Sequence, residues 1–530
     1  MENHLQSIPF GFAHLLRRLE GPSSLSREKE AVVFRGQRLS YGDLYDRAGR
    51  LADALRRDGV QKGDRIAVLM GNHPAWFDIF FASSALGCIL VPVNHLLQAE
   101  GIRYILADSG ATTLVAGADL STRVEAALAK IPDCRRYLVV SGNDGIDSAA
   151  SHQGLDYEAF KAQGDIRFPE VALSPGDPTL LQYTSGTTGF PKGATHTVSS
   201  LMWNSFHQPY DFGMQADDRY LCVPTLCWVA GMHDFTLATL WIGGTVILHP
   251  TGGLTVADVL AAIERERCTG VLLVPTILKQ LVDTLGIDNF DLSSLKFVLT
   301  GGEPAPVSVI RRFYELLPTV DFLQAYGLSE GPSLATFLRA EDAMRKVGSC
   351  GKPATNCEIR IVDPVDQPLA AGETGEILIR SAATMAGYWN QAQATAETLR
   401  GGWLHTGDVG RLDEEGYLTI TGRKKDMYIS GGLNIYPAEV EAVIINHEAV
   451  AECAVFGIPD EKWGEVGMAV VVVKKGATLD AAEVQAMCQA KLARYQQPKV
   501  VKIVTEPLIR TASGKMRKFK IRELYYDSDG

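Results

Sequence analysis

At 530 residues the chain is several times longer than one hydrophobic core sustains, so a single small module is excluded and about three or four structural units are expected. Apolar residues make up 46% and charged residues 21% of the sequence, with mean hydropathy near zero, which excludes a disordered or membrane-embedded chain. The 51 basic residues are outnumbered by 62 acidic ones, a net charge of -11, so the whole molecule has no attraction for nucleic acid or an anionic membrane, and any phosphate site must be local.

The opening Met-Glu-Asn-His-Leu-Gln has no basic stretch followed by an apolar one, so no secretory signal is expected. Nine cysteines, at 88, 134, 222, 227, 268, 350, 357, 453 and 488, form no Cys-x-x-Cys pair and are odd in number. That argues against a disulfide framework or zinc cluster and for a reducing, cytoplasmic setting.

In chain order, Gly42 to Leu55 carries a helical pattern, while Arg65–Met70, Thr113–Ala116 and Gly270–Val274 are short β-rich runs. Their alternation from about residue 10 to about 420 predicts β-α-β units in stacked, mostly parallel sheets, an α/β class. The apolar stretch from Ile79 to Val93 is interrupted by Ser83, Ser84, Gly87 and Pro92 and is too short to span a membrane, so it is expected to be core. From 370 to 422 the texture changes to short strands with turn residues, expected as antiparallel hairpins forming a small barrel-like subdomain that closes the large domain. After Gly422 a charged run, Arg423-Lys-Lys-Asp, leads into a compact α+β segment. The expected division is a large domain over 1–424 and a small C-terminal domain over 425–530.

Within the large domain, Leu180-Leu-Gln-Tyr-Thr-Ser-Gly-Thr-Thr-Gly-Phe-Pro-Lys-Gly-Ala-Thr-His passes from a β-like run into an expected helix. Thr184, Ser185, Thr187 and Thr188 bring hydroxyls, Gly186 and Gly189 let backbone amides turn toward an anion, and Lys192 adds positive charge. The chemistry suits a polyphosphate. It is not the G-x-x-x-x-G-K-[ST] loop, because Phe190-Pro191 stands between glycine and lysine.

Further signatures follow in order: Thr300-Gly-Gly-Glu-Pro, Gln324-Ala-Tyr-Gly-Leu-Ser-Glu, Gly387-Tyr-Trp-Asn, Trp403-Leu-His-Thr-Gly-Asp, Gly422-Arg-Lys-Lys-Asp, Gly431-Gly-Leu-Asn-Ile-Tyr-Pro-Ala-Glu-Val-Glu and Arg510-Thr-Ala-Ser-Gly-Lys. With them the chain resembles, over nearly its whole length, the adenylate-forming superfamily of acyl-CoA synthetases, peptide-synthetase adenylation domains and luciferases. The resemblance implies ATP, magnesium (Mg2+) and coenzyme A as ligands. It implies that Gly302, Glu303, Pro304 and Tyr326 form the adenine site, where an aromatic ring stacks on a flat base. Ser329 would hydrogen-bond the α-phosphate and Glu330 would hold magnesium, which favours a carboxylate together with nucleotide oxygens. Asp408 would accept the ribose hydroxyls, and Arg423 would reach the ribose or phosphates. Lys515 would bridge the acid's carboxylate and the α-phosphate and stabilise charge in the transition state, with Lys192 also in the catalytic set. The small domain would rotate about Lys425, presenting first Lys515 and then the Gly431-Gly432 loop, along which pantetheine passes close to backbone.

The acid's pocket falls at Val223-Pro-Thr-Leu-Cys-Trp-Val-Ala-Gly-Met-His, where relatives carry Pro-x-x-His-x-x-Gly. Cys227 has the direct spacing from Pro224 and Trp228 aligns with one insertion, so either stands as the gate. Trp228, Val229, Ala230 and Gly231, with Thr300 and Gly301, form apolar walls of small volume, which favours a medium-sized aromatic or cyclic acid over an amino acid. This segment offers no acidic partner for a substrate ammonium, and His233 is expected to be structural. The implied reaction is an acid-CoA ligation, with transfer of the acyl group to an amino acid as the alternative. The Gly431-Gly432 loop and Val455-Phe-Gly-Ile-Pro-Asp-Glu-Lys-Trp-Gly-Glu favour CoA. Expected partners are the acid, ATP and CoA or an amino acid, with no nucleic acid or membrane, and the resemblance allows a homodimer. Residues 491–520 hold nine basic residues against one acidic, so the mobile domain is expected to bring positive charge to ATP and CoA phosphates.

Overall fold

The computed structural model describes residues 11–21, 25–131, 133–141, 153–169, 171–184, 191–302, 305–510 and 516–526. Two large, mostly parallel sheets form the body. One has eight strands, ordered Gly387–Tyr388, Lys192–Thr197, Pro178–Thr184, Ile89–Pro92, Arg65–Leu69, Thr113–Gly117, Arg136–Val140 and Leu155–Asp156. The other has nine, ordered Lys352–Pro353, Thr336–Leu338, Asp321–Tyr326, Phe297–Gly301, Gly270–Leu272, Arg219–Cys222, Thr245–Leu248, Glu30–Phe34 and Gln37–Ser40.

Strand alternation explains the layering. In Arg65–Leu69, Ile66 and Val68 join the core shared by both sheets, while Ala67 and Leu69 join a second core on the opposite face. Side chains two apart share a face, and both faces are covered, so these strands read as unbroken apolar runs. The shared core also takes Val32, Tyr220, Val246, Leu272 and Leu299 from the nine-stranded sheet. Helices Tyr41–Arg57, Ala75–Leu86, Val198–Phe212 and Thr236–Ile242 contribute to it as well. Helix Tyr41–Arg57 starts on a capping box in which Ser40 and Asp43 satisfy each other's backbone N–H, the reciprocal arrangement that fixes a helix start. Every residue of Ala75–Leu86 is buried, and the helix ends at Gly87 with φ 66°, a left-handed position that glycine takes at little cost. The apolar run from Ile79 is therefore the end of this helix plus the buried strand Ile89–Pro92. Among the described residues no helix is long and apolar enough to cross a membrane.

A four-stranded antiparallel sheet, Cys357–Val362, Gly375–Ser381, Leu404–Leu412 and Leu418–Arg423, follows. A smaller C-terminal sheet of five strands then begins at Tyr428 and carries helices Pro437–Ile444, Ala481–Lys491 and Lys518–Tyr525. Its long central strand, Gly464–Val473, runs antiparallel to Val450–Asp460 and parallel to Val500–Val504.

Two expectations are corrected. The glycine-rich loop does not lead into a helix: the chain returns as strand Lys192–Thr197, antiparallel to Pro178–Thr184, and the helix begins only at Val198. The short residues Gly193-Ala-Thr-His-Thr alternate across that strand, and pairing on both sides, with Pro178–Thr184 and Gly387–Tyr388, outweighs local helical preference. The basic run over 491–520 is also partly balanced in space. Lys499 pairs with Asp460, Lys518 with Glu441 and Arg510 with Glu452 on other elements, and Lys520 with Glu523 in its own helix, so four of the nine basic groups share their charge with a carboxylate.

Candidate active site

The described frame of the glycine-rich loop is the hairpin of the eight-stranded sheet. Thr184 pairs across it with Lys192, and the Tyr104 hydroxyl donates to the Pro191 carbonyl at 3.0 Å. Ser185, Gly186, Thr187 and Thr188 between them lie outside the described residues, as do Glu303, Pro304 and Lys515.

Glu330 is the meeting point of the first cluster. Its Oε1 accepts from the Thr184 hydroxyl at 3.2 Å and from the Tyr388 hydroxyl at 3.1 Å, and Lys192 Nζ stands 5.0 Å from the centre of the Tyr388 ring. Burial and the Glu330 charge push the Tyr388 hydroxyl upward, which keeps it a proton donor. Strand Gly387–Tyr388 pairs with Thr195 and Ala194, and this cross-sheet seat brings Tyr388 to the cluster. Beside it, His196 Nε2 donates to the Ser329 carbonyl at 2.7 Å. A carbonyl only accepts, so Nε2 carries the proton and Nδ1 is left as an acceptor. Burial lowers the His196 pKa against that bond, so the ring is neutral.

The second cluster surrounds Asp408, 4% exposed on strand Leu404–Leu412. Its Oδ2 accepts from the Tyr326 hydroxyl at 2.8 Å, and its Oδ1 pairs with Arg423 Nε at 2.7 Å. Arg423 is its cross-strand partner in the antiparallel sheet. The Asp408 N–H donates to Thr406 Oγ1 at 3.0 Å, fixing the turn of chain. Burial and the neighbouring Asp408 hold the Tyr326 phenol well above its ordinary range. Partial burial works against the Arg423 charge, but Asp408, Tyr326, Asp426 and Glu330 outweigh it and raise its pKa. The Tyr326 ring packs against the small apolar clusters of the antiparallel sheet, built on Ile379, Leu404, Ile377 and Leu418. The two clusters are thus electrostatically joined, since both carboxylates favour the charge on the Arg423 guanidinium.

Thr300 is fully buried opposite Gln324, and its hydroxyl has no partner among the described residues. A side chain on Gly301 would come 2.9 Å from the Ala325 carbonyl, and Gly302 follows with φ 90° and open space around it. At the expected pocket wall, Cys227 is buried and its carbonyl accepts from Gln182 Nε2 at 3.1 Å. Trp228 and Ala230 are half-buried and pack on the shared core. Val229–Met232 makes a single helical turn in which a Cβ on Gly231 would lie 2.2 Å from the Thr225 carbonyl, so only glycine fits. His233 is buried; its carbonyl accepts from Gln208 at 2.8 Å and its ring meets that of His196 edge-on at 6.0 Å. Burial and His196 pull its pKa down to about 3.

Sequence reasoning gave no role to Tyr388 or His196 and stopped one residue short of Asp234, a buried carboxylate at the end of the same turn. Tyr388 lay inside a recognised motif, and an acidic residue next to the pocket segment was the available signal for Asp234.

In the smaller domain, Gly431 and Gly432 have φ 58° and 82°. The Gly431 N–H donates to the Trp463 carbonyl at 2.8 Å, and a Cβ there would come 2.8 Å from the Trp463 ring. Trp463 is 42% exposed, with the ammonium groups of Lys462 and Lys499 at 5.1 and 5.8 Å from its ring centre. Lys425 lies between the end of strand Leu418–Arg423 and the start of Tyr428–Ser430.

Known proteins agree with this architecture. Residues 23–389 match the AMP-binding enzyme family, and residues 439–515 match the AMP-binding enzyme C-terminal domain. Feruloyl-CoA synthase of an Amycolatopsis species is 38% identical over 501 residues, 94% of this chain and 97% of that protein. Indoleacetate–CoA ligase of Aromatoleum aromaticum is 38% identical, covering 95% and 96%. Among solved structures, an anthranilate CoA ligase in complex with anthranoyl-AMP superposes with TM-score 0.89 at 26% identity, covering 98% of both chains. An amide bond synthetase from Marinactinospora thermotolerans superposes with TM-score 0.85 at 29% identity, covering 97% of this chain and all of that one. The chain belongs to the AMP-binding enzyme family, in its acyl-CoA synthetase branch.

Proposed function

We propose that this chain is an ATP-dependent ligase that converts a medium-sized aromatic or cyclic carboxylic acid into its acyl-adenylate and then transfers the acyl group to the CoA thiol. The observation that carries it is the pair of linked clusters, Thr184–Glu330–Tyr388 and Tyr326–Asp408–Arg423, in a chain similar to ligases named for ferulate and indoleacetate. In the first step a carboxylate oxygen of the acid bonds to the α-phosphorus of ATP. The bond from that phosphorus to the bridging oxygen breaks, and pyrophosphate leaves with the electron pair. Asp408 accepts the ribose hydroxyls, Arg423 faces the phosphates, and the Gly302 backbone together with Tyr326 borders the base. Lys192 and the loop hydroxyls hold the polyphosphate. Magnesium supplies positive charge to the phosphate oxygens when bound, and Glu330, oriented by Thr184 and Tyr388, suits it as an oxygen ligand. In the second step the CoA thiol gives up its proton to solvent and its sulfur bonds to the acyl carbon, the bond from that carbon to the phosphate oxygen breaks, and AMP departs with the oxygen and the electron pair.

The protein contributes positioning and charge rather than a nucleophile. Its cysteines fit that division: burial pushes the thiols of Cys222, Cys227, Cys350 and Cys357 up to about 12, so they stay protonated and unreactive. We place the domain division at 1–424 and 425–530 with Lys425 as hinge, supported by the change of sheet between Arg423 and Tyr428.

Pyrophosphate release measured over a panel of acids, followed by mass spectrometry of products with CoA or amino acids as acceptor, tests this function. Thioester is the expected product. The similar amide bond synthetase makes an amide the specific rival outcome, and amide without thioester would overturn the CoA assignment. A second check is local. Gly431→Ala puts a methyl against Trp463 at a left-handed position that costs about 1–2 kcal/mol for an L-residue. Thioester formation from supplied acyl-adenylate should fall about tenfold while pyrophosphate release changes little. Equal loss of both steps would count against this loop as the thiol's path.

A further inference from the structure

We propose that Asp234 ends the acid-binding pocket as a hydrogen-bond acceptor, so that this chain selects acids carrying a hydroxyl or ring N–H at the end remote from the carboxylate. The inference rests on the proposed function in one respect, that the acid lies against the turn Val229–Met232.

Asp234 is attached to that turn. Its N–H donates to the Val229 carbonyl at 3.2 Å, and its side chain is 5% exposed with Oδ1 unpartnered among the described residues. Ser333, four residues past Ser329, acts on the carboxyl and favours its charged form against burial. The Ser333 hydroxyl also donates to Asn204 Oδ1 at 3.1 Å. Asn204 Oδ1 also accepts from the Ser333 N–H at 2.9 Å, so it is satisfied whichever way the hydroxyl turns, and the acceptor left over is Asp234 Oδ1. More buried polar groups lack partners among the described residues: Asn204 Nδ2, Tyr220 Oη, which feels the Asp234 charge, Thr239 Oγ1 and His196 Nδ1. Buried polar groups in proteins are paired in the great majority of cases. Orphans on four elements, His196 among them through the ring that bonds the Ser329 carbonyl, are the groups that a polar ligand would complete.

Among the described residues no cation pairs with this carboxylate. The titratable groups near it are His233, held neutral with a pKa near about 3, neutral His196, Tyr220 raised well above its ordinary value, and Cys222 raised to about 12. Burial without a counter-charge pushes Asp234 up to about 7. A neutral donor on the ligand supplies the missing bond, which is stronger to the ionised carboxylate. A site built to bond a hydroxyl rejects the analogue that lacks it, because its own buried groups are then left unpaired.

Equilibrium binding to the full chain tests the assignment without turnover, using pairs of aromatic acids matched in shape: para-hydroxyl against para-methyl, and ring N–H against N-methyl. At about pH 8 the donor-bearing member of at least one pair should bind about tenfold or more tightly. The margin should shrink toward about pH 6 as Asp234 takes up its proton. Asp234→Leu should bring the ratio to within about twofold. Asp234→Asn, nearly isosteric and without a titrating group, should keep a preference that no longer changes with pH. It decides the matter alone if the leucine variant does not fold. The proposal is overturned if no pair shows a preference, if the preference survives Asp234→Leu, or if the asparagine variant retains the pH dependence. Such a failure in an enzyme that still makes thioester would leave the ligase function standing. Donor preference in an enzyme that makes amide would overturn the CoA assignment and support the role of Asp234.

Discussion

Lys515→Ala is expected to lower acid-dependent pyrophosphate release by about 10²–10³-fold, while thioester formation from supplied acyl-adenylate and CoA keeps most of its rate. In the first step three negative partners converge, since a carboxylate approaches a phosphate from which pyrophosphate is departing. An ammonium aimed at that charge acts most strongly at the transition state, so kcat should fall with little change in the KM for ATP. The second step starts from a neutral acyl carbon and a thiol and places no comparable demand on this residue. Lys515 lies outside the described residues, but the flanking Arg510 and Met516 pair with each other across an isolated antiparallel bridge, and Arg510 is tied to Glu452. Arg510 and Met516 are therefore both held on the smaller domain, as the proposed delivery of Lys515 by domain rotation requires. Rapid-quench measurement of the two half-reactions checks the split. Normal pyrophosphate exchange in the variant would remove Lys515 from the first step.

The parts of this molecule legible in the sequence are those whose signal is local. Arg65–Leu69 and Thr113–Gly117 read as strands because buried parallel strands are apolar on both faces, and Tyr41–Arg57 reads as a helix because its apolar residues recur at helical spacing. Strand Lys192–Thr197 was not legible, since what makes it a strand is a partner on each side, one of them nearly two hundred residues away at Gly387–Tyr388. The site divides the same way. Thr184, Lys192, Glu330, Asp408 and Arg423 each sit in a motif that can be read in isolation. Tyr388 reaches Glu330 only through that distant pairing, and the setting of Asp234 depends on Ser333, nearly a hundred residues away in the chain. The basic run near the C-terminus is partly paired for the same reason. Composition counts charges along the chain, whereas Glu441, Glu452 and Asp460 lie across the fold from the lysines and arginine they pair with.

Asp408→Ala is expected to lower kcat/KM for ATP about 10²-fold and to cost about 1–3 kcal/mol of stability. Both effects follow from its two oxygens, one accepting from Tyr326 and the other paired with Arg423. Each oxygen has a second lone pair, so Asp408 can hold these partners and still accept from the ribose. Truncation removes the ribose contacts and also leaves the Tyr326 hydroxyl without this acceptor and the Arg423 guanidinium without its nearest counter-charge. Two companion variants separate these losses. Tyr326→Phe deletes a donor that points at Asp408 and keeps the Asp408–Arg423 pair, so its effect on the KM for ATP should be the smaller. Asp408→Asn keeps an acceptor for Tyr326 but surrenders the charge, so it should recover most of the stability and little of the ATP affinity. Denaturant unfolding and ATP saturation of the pyrophosphate assay read the two quantities independently. An unchanged KM for ATP in Asp408→Ala would show that this carboxylate only braces the junction between Tyr326 and Arg423 and does not touch the nucleotide.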